Sequence, residues 1–180
     1  MSDQSDLKKV SIVGTTTRYQ IKKVTQNKEI DKERKKQFSK SDYECNQLEV
    51  ITNIYNESTE EDPQKTIFLR EINNKINGYK QQDVCKNMLD VNNFVSLKDV
   101  IDKIYNSNLK CYYCRESVYL FYNYVRENKQ WTLERIDNGA GHNKDNVEIA
   151  CLLCNLRRRT MYHERYVFTK QMTNIVKLDS

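Results

Sequence analysis

The chain has 180 residues, 38% of them apolar and 31% charged, with a formal net charge of +5. That length suits one principal domain with an appended region, or two small domains sharing a core, and the low apolar share leaves much of it as solvated surface or polar helix. No apolar run is long enough to cross a bilayer, and the polar start Met1-Ser2-Asp3-Gln4-Ser5-Asp6 lacks the basic residues and apolar stretch of a secretory signal, which sets aside membrane-spanning and secreted classes.

A soluble, intracellular protein is therefore expected, cytoplasmic or nuclear, and the mild basic excess favours a polyanionic partner without identifying one. Residues 1–40 mix Lys, Asp, Gln, Ser and Thr with few large apolar groups, and Lys32-Glu33-Arg34-Lys35-Lys36 is a net-basic run that resists burial. A flexible polar arm is predicted there, its basic run a solvated face or a nucleic-acid contact. Residues 41–106 are predicted to be a helical region. Ser41 to Glu44 has capping-box spacing, and Tyr43, Leu48, Ile51, Ile54 and Tyr55 follow at helical period, so a helix is expected near 42–56. Asp62-Pro63 opens a second helix with Ile67, Phe68, Ile72, Ile76 and Tyr79 on one side and Gly78 near its end. Ser96 to Asp99 repeats the capping box, Val95 and Val100 are placed as a staple, and Val100, Ile101, Ile104 and Tyr105 form a buried stripe.

In residues 107–180 two C-x-x-C pairs, Cys111/Cys114 and Cys151/Cys154, are separated by thirty-six residues. A two-residue knuckle lets both sulfurs of a pair reach one tetrahedral zinc, and four thiolates close the coordination sphere, so the Zn²⁺ would hold structure. Free thiols of this kind fit a reducing compartment. Cys45 and Cys85 have no partner at knuckle spacing and read as ordinary half-buried residues. Val118 to Val125 is rich in aromatic and β-branched residues and predicts a packed strand or short helix. Trp131 to Asp137 reads as a strand, Asn138 to Asn146 as a polar loop, Val147 to Leu152 as the return strand, and Leu156 to about Gln171 as one helix carrying Arg157, Arg158, Arg159 and Arg165. The fold class expected is α+β.

The series Cys-x-x-Cys, Leu133-Glu134-Arg135-Ile136-Asp137-Asn138, Gly141-His142-x-x-Asp145-Asn146 and Ala150-Cys151-x-x-Cys154-Asn155 resembles the HNH, or His-Me finger, endonucleases in their zinc-bearing, recombination endonuclease VII-like branch. The resemblance runs from about Lys110 to Arg165 and implies a zinc-stabilised, treble-clef-like ββα-metal nuclease domain at the C-terminus. In that family an acidic residue ending the first strand and a residue opening the helix ligate one catalytic metal; the matching positions are Glu134 and Asn155, whose oxygens suit Mg²⁺ or Mn²⁺. Asn146 matches the central Asn and would brace the loop.

The family's proton-accepting His follows the strand-ending acid, and here that position is Arg135. An arginine stays protonated, so it would hold phosphate rather than act as base. Asp137 and His142 are the remaining base candidates. Plainer roles stand beside these: Glu134 and Arg135 as a surface pair, His142 as a loop residue, Asn155 as a helix cap. Arg157, Arg158, Arg159 and Arg165 are expected to contact nucleic-acid phosphates. The reading implied is a metal-dependent endonuclease acting on DNA, with RNA and a homodimer left open, and the alternative is an inactive zinc-stabilised nucleic-acid-binding or packaging protein. An abundance of Asn, Lys and Ile is compatible with a phage or large DNA virus, and so with a virion location.

Overall fold

A computed structural model describes residues 45–57 and 63–172. The predicted arm over 1–40 and the capping box at Ser41 to Glu44 lie outside the described residues. Helix α1, Gln47–Tyr55, starts instead behind Asn46, whose side chain accepts from the Glu49 amide, and it buries Val50, Ile51 and Ile54. Helix α2, Pro63–Cys85, begins at the proline, where a missing N–H costs nothing, and buries Phe68, Ile72 and Ile76 at four-residue spacing. It does not stop at Gly78, whose Cβ position is open space; it stops seven residues later, before Asn87 turns the chain at a φ of 54°. Helix α3, Leu97–Asn106, has both halves of a capping box: the Asp99 amide donates to Ser96 Oγ, and Asp99 Oδ2 accepts from the Ser96 amide. Its Val100 and Ile104 are fully buried.

The sheet is a two-stranded antiparallel hairpin of β1, Trp131–Arg135, and β2, Val147–Cys151, with Trp131 opposite Cys151 and Arg135 opposite Val147. The first strand ends two residues earlier than its composition predicts, because Asp137 turns back on itself to accept from the Gly139 amide. Residues 118–125 form neither strand nor helix. Tyr119 bridges Gln130, Tyr124 is a second bridge residue, and Gln47 Oε1 pins the segment by accepting the amides of Leu120 and Phe121. Their apolar side chains are core all the same: Val118, Leu120 and Phe121 are buried, with Phe121 edge-on to Phe68. Strand-like composition here makes isolated bridges and packed irregular chain rather than a strand.

The predicted single helix from Leu156 to Gln171 is two helices, α4 at Leu152–Arg158 and α5 at His163–Gln171. Between them Arg159 adopts a φ of 52°, its carbonyl is taken by the Asn138 side-chain amide (2.8 Å), and the Met161 carbonyl is taken by Arg158 Nη1 (2.8 Å). Carbonyls bonded to side chains cannot continue a helix ladder. The described residues thus make an α+β arrangement in which α1, α2 and α3 pack together, α3 meets β2, and α4 covers both strands. One core runs through all of it, from Ile51, Phe68 and Ile104 to Tyr113, Trp131 and Ile149. Among the described residues no helix is long and apolar enough to cross a membrane.

Candidate metal centre and the groove beside it

The sulfur atoms of Cys111, Cys114, Cys151 and Cys154 all lie within 4.8 Å of one another. Local structure explains how. The first knuckle closes where the Arg115 amide donates to the Cys111 carbonyl, with Arg115 in the left-handed region at a φ of 60°. The Tyr112 amide then donates to Ile149 of β2, which lays this knuckle against the strand leading into the second one. Cys151 ends β2 and caps α4, its sulfur accepting from the Cys154 amide at 3.4 Å. The cage is nearly closed to solvent, with Cys111, Cys151 and Cys154 buried and Cys114 half-buried.

Hydrogen bonds from Cys151 and Cys154 pull the Cys111 thiol far below its ordinary value, while the same Cys111 pushes the Cys151 and Cys154 thiols up. The donor set, four soft sulfurs with no oxygen among them, is one that could hold a metal ion of the zinc kind.

Along β1 lies an open groove of about 430 Å³. Its floor carries Glu134, His142 and Asn155, and its rim carries Lys86, Arg135 and Arg159. Glu134 is buried, and its Oε1 accepts from Arg158 Nε and, at 3.4 Å, from the Tyr113 hydroxyl. Burial raises the Glu134 carboxyl above its ordinary value, opposed by the Arg158 guanidinium beside it. Asn155 donates its amide to Thr132 Oγ1 (3.3 Å) and lines the groove. His142 is buried, its ring lies 4.5 Å from that of Tyr79, and its Nδ1 meets Asp83 Oδ1 at 2.8 Å. Burial lowers the His142 pKa, and the Asp83 carboxylate beside it opposes that shift.

The remaining sequence candidates are distributed differently. Asn146 ties the loop together, accepting from the Asp137 amide and donating to the carbonyls of Asp137 and Gly141. Arg135 gives Nη1 to the carbonyls of Asn138 and Ala140, so its guanidinium is partly engaged in holding that same loop. Asp137 is exposed and lies outside the groove lining, because the strand ends at Arg135 and its carboxylate folds back to Gly139. Of the arginines assigned to phosphate, Arg158 is 2% exposed and committed to Glu134, Arg135, Asn138 and Met161, so it is an internal strut rather than a contact. Arg157, Arg159 and Arg165 are exposed, and of these Arg159 lines the groove.

Sequence reasoning missed the contribution of α2. Lys75, Tyr79 and Asp83 stand at four-residue spacing, continuing the Phe68–Ile72–Ile76 stripe in polar form toward β1. Lys75 donates to the Trp131 carbonyl and sits 4.6 Å from the Trp131 ring; the Tyr79 hydroxyl accepts from the Leu133 amide at 3.1 Å; Asp83 reaches His142. The signal available was periodicity: a helical face that turns from apolar to polar without turning outward. No protein-family model, curated protein or solved structure matches the chain.

Proposed function

We propose that this chain is a metal-dependent endonuclease of the HNH type, acting on DNA, in which the four-cysteine cage holds a structural zinc and the groove beside β1 is the catalytic site. The observation that carries this reading is that one groove collects an acidic oxygen, an amide oxygen and an imidazole, from Glu134, Asn155 and His142, under a basic rim. The strand–loop–strand–helix order of β1, β2 and α4 is what a ββα-metal site requires. Of the exposed or half-exposed cations around the groove, Lys86 and Arg159 are free of the loop-holding duties of Arg135 and are suited to the phosphates on either side of the scissile one.

Glu134 and Asn155 are the residues that would hold Mg²⁺ or Mn²⁺, whose charge would neutralise the phosphate and the leaving oxygen. Glu134 fits that task through the carboxylate oxygen not engaged by Arg158 and Tyr113, and those two partners fix how it is aimed. His142 is the group here able to take a proton from the attacking water, since Arg135 remains charged and Asp137 lies outside the groove.

A second reading, a nucleic-acid-binding protein without catalysis, is favoured by the buried Glu134–Arg158 pair, which gives the acid a structural task of its own. Nicking of supercoiled plasmid in Mg²⁺ or Mn²⁺ separates the two. The endonuclease reading expects cation-dependent nicking that falls at least about a hundredfold in Asn155→Ala and Glu134→Gln, with unchanged zinc content. A zinc-loaded protein that binds DNA in a salt-dependent manner and never nicks it establishes the second reading instead.

A further inference from the structure

We infer that Asp83, delivered by helix α2 from outside the region of family resemblance, is the positioning residue of a His142–Asp83 dyad that aims the imidazole into the groove. This inference rests on the endonuclease reading and names the device by which its base is prepared.

Both carboxylate oxygens of Asp83 are used by one residue. Oδ2 accepts the His142 main-chain amide at 2.6 Å and Oδ1 meets the ring Nδ1 at 2.8 Å. A carboxylate accepts, so Nδ1 is the nitrogen that carries the proton, and the lone pair is left on Nε2. Among the described residues Nε2 has no protein partner, and His142 is a lining residue of the groove. Asp83 itself is 0% exposed. An acid with no access to solvent, spent wholly on one histidine, is costly unless it is needed there.

The loop around His142 is built for this approach. A Cβ at Gly141 would stand 2.4 Å from the Met88 carbonyl oxygen and 2.9 Å from Asp83 Oδ2, so glycine is required for the loop to come this close. The His142 carbonyl accepts from Val95, the Lys144 amide donates to Asn93, and Phe94 bridges Asn143, which clamps both sides of the histidine to the segment after α2. The groups that bear on the ring are Asp83 and Tyr79 from α2, Lys86 just after its end, and Arg135 from β1. Asp83 raises the basicity of the imidazole; burial, Arg135 and Lys86 lower it.

In the step this serves, the water oxygen bonds to phosphorus as its proton passes to Nε2, and the bond from phosphorus to the leaving oxygen breaks, that oxygen taking a proton from solvent. Asp83 stays out of the proton's path and holds the Nδ1–H. The role parallels the buried aspartate of hydrolase triads, which sets a tautomer without itself taking the proton.

The test compares wild type with the near-isosteric Asp83→Asn by plasmid nicking across pH, together with ring ¹⁵N chemical shifts of His142, with zinc content and DNA affinity as controls. Expected are a neutral Nδ1–H tautomer in wild type, and in Asp83→Asn a loss of nicking of about a hundredfold or more with its acidic limb moved to lower pH, at unchanged zinc content. A wild-type Nε2–H tautomer overturns the dyad even if the variant does not fold. Equal rates and pH profiles in a folded variant overturn it too. Wild type that does not nick at all removes the endonuclease reading and the base role with it, which separates that failure from failure of the dyad alone.

Discussion

Arg158 illustrates how little a residue's type says about its use. Three consecutive arginines at 157–159 look alike in the chain, yet the middle one is buried and the outer two are exposed. Arg157 and Arg158 are one step apart on α4, which turns the side chain by about 100°, and Arg159 follows the helix at a φ of 52°, so only Arg158 reaches Glu134. Removing it leaves an acid buried without its partner. Arg158→Ala is therefore expected to lower stability by about 3–5 kcal/mol, whereas Arg157→Ala stays within about 0.5 kcal/mol, both read by urea unfolding. The pH dependence has a definite sign. With Arg158 gone, only Tyr113 and Arg135 oppose burial at Glu134 and its raised pKa rises further, so the native state holds its proton more tightly than the unfolded chain. The deficit of Arg158→Ala should therefore shrink as pH falls through that raised pKa, and a deficit independent of pH would count against the pair.

At the scale of elements, local chemistry was legible wherever the cause was local. Ser96 and Asp99 state the start of α3 within four residues, and the two cysteine pairs state the knuckles. Elements were misread where distant groups decide. Residues 118–125 have strand composition but form only isolated bridges, and α4 ends where Asn138, from the loop after β1, captures the Arg159 carbonyl. The cage ties the end of β2 and the start of α4 to the segment before residue 118, so the metal proposed there carries folding energy for all three. Chelation, or Cys151→Ser, is expected to abolish the near-ultraviolet dichroism of Trp131, which pairs with Cys151 across the sheet. Metal analysis should return one zinc per wild-type chain, and a variant that keeps its dichroism without zinc would refute a structural metal.

Across the whole molecule, the helical region and the region of family resemblance share one core: Phe68 of α2 packs on Phe121, Tyr55 of α1 stacks on Tyr105 of α3, and Lys75, Tyr79 and Asp83 reach β1 and its loop. A fragment starting at residue 107 would expose Trp131, Val118 and Phe121 to water and strand His142 without Asp83. It is expected to take up zinc but to lack a cooperative thermal transition, as read by calorimetry; a sharp transition near that of the full chain would show that the core divides after all. The sequence by itself determined the α+β class, the capping box of α3 and the four-sulfur cage, because capping, knuckle spacing and hydrophobic period are properties of residues a few positions apart. Only the tertiary structure decided that Arg158 is internal, that Asp137 is outside the groove, and that α2 supplies Asp83 to His142 across fifty-nine residues. Those outcomes depend on which faces meet when the core closes, and burial then sets the charge and hydrogen-bond partners of each group it encloses.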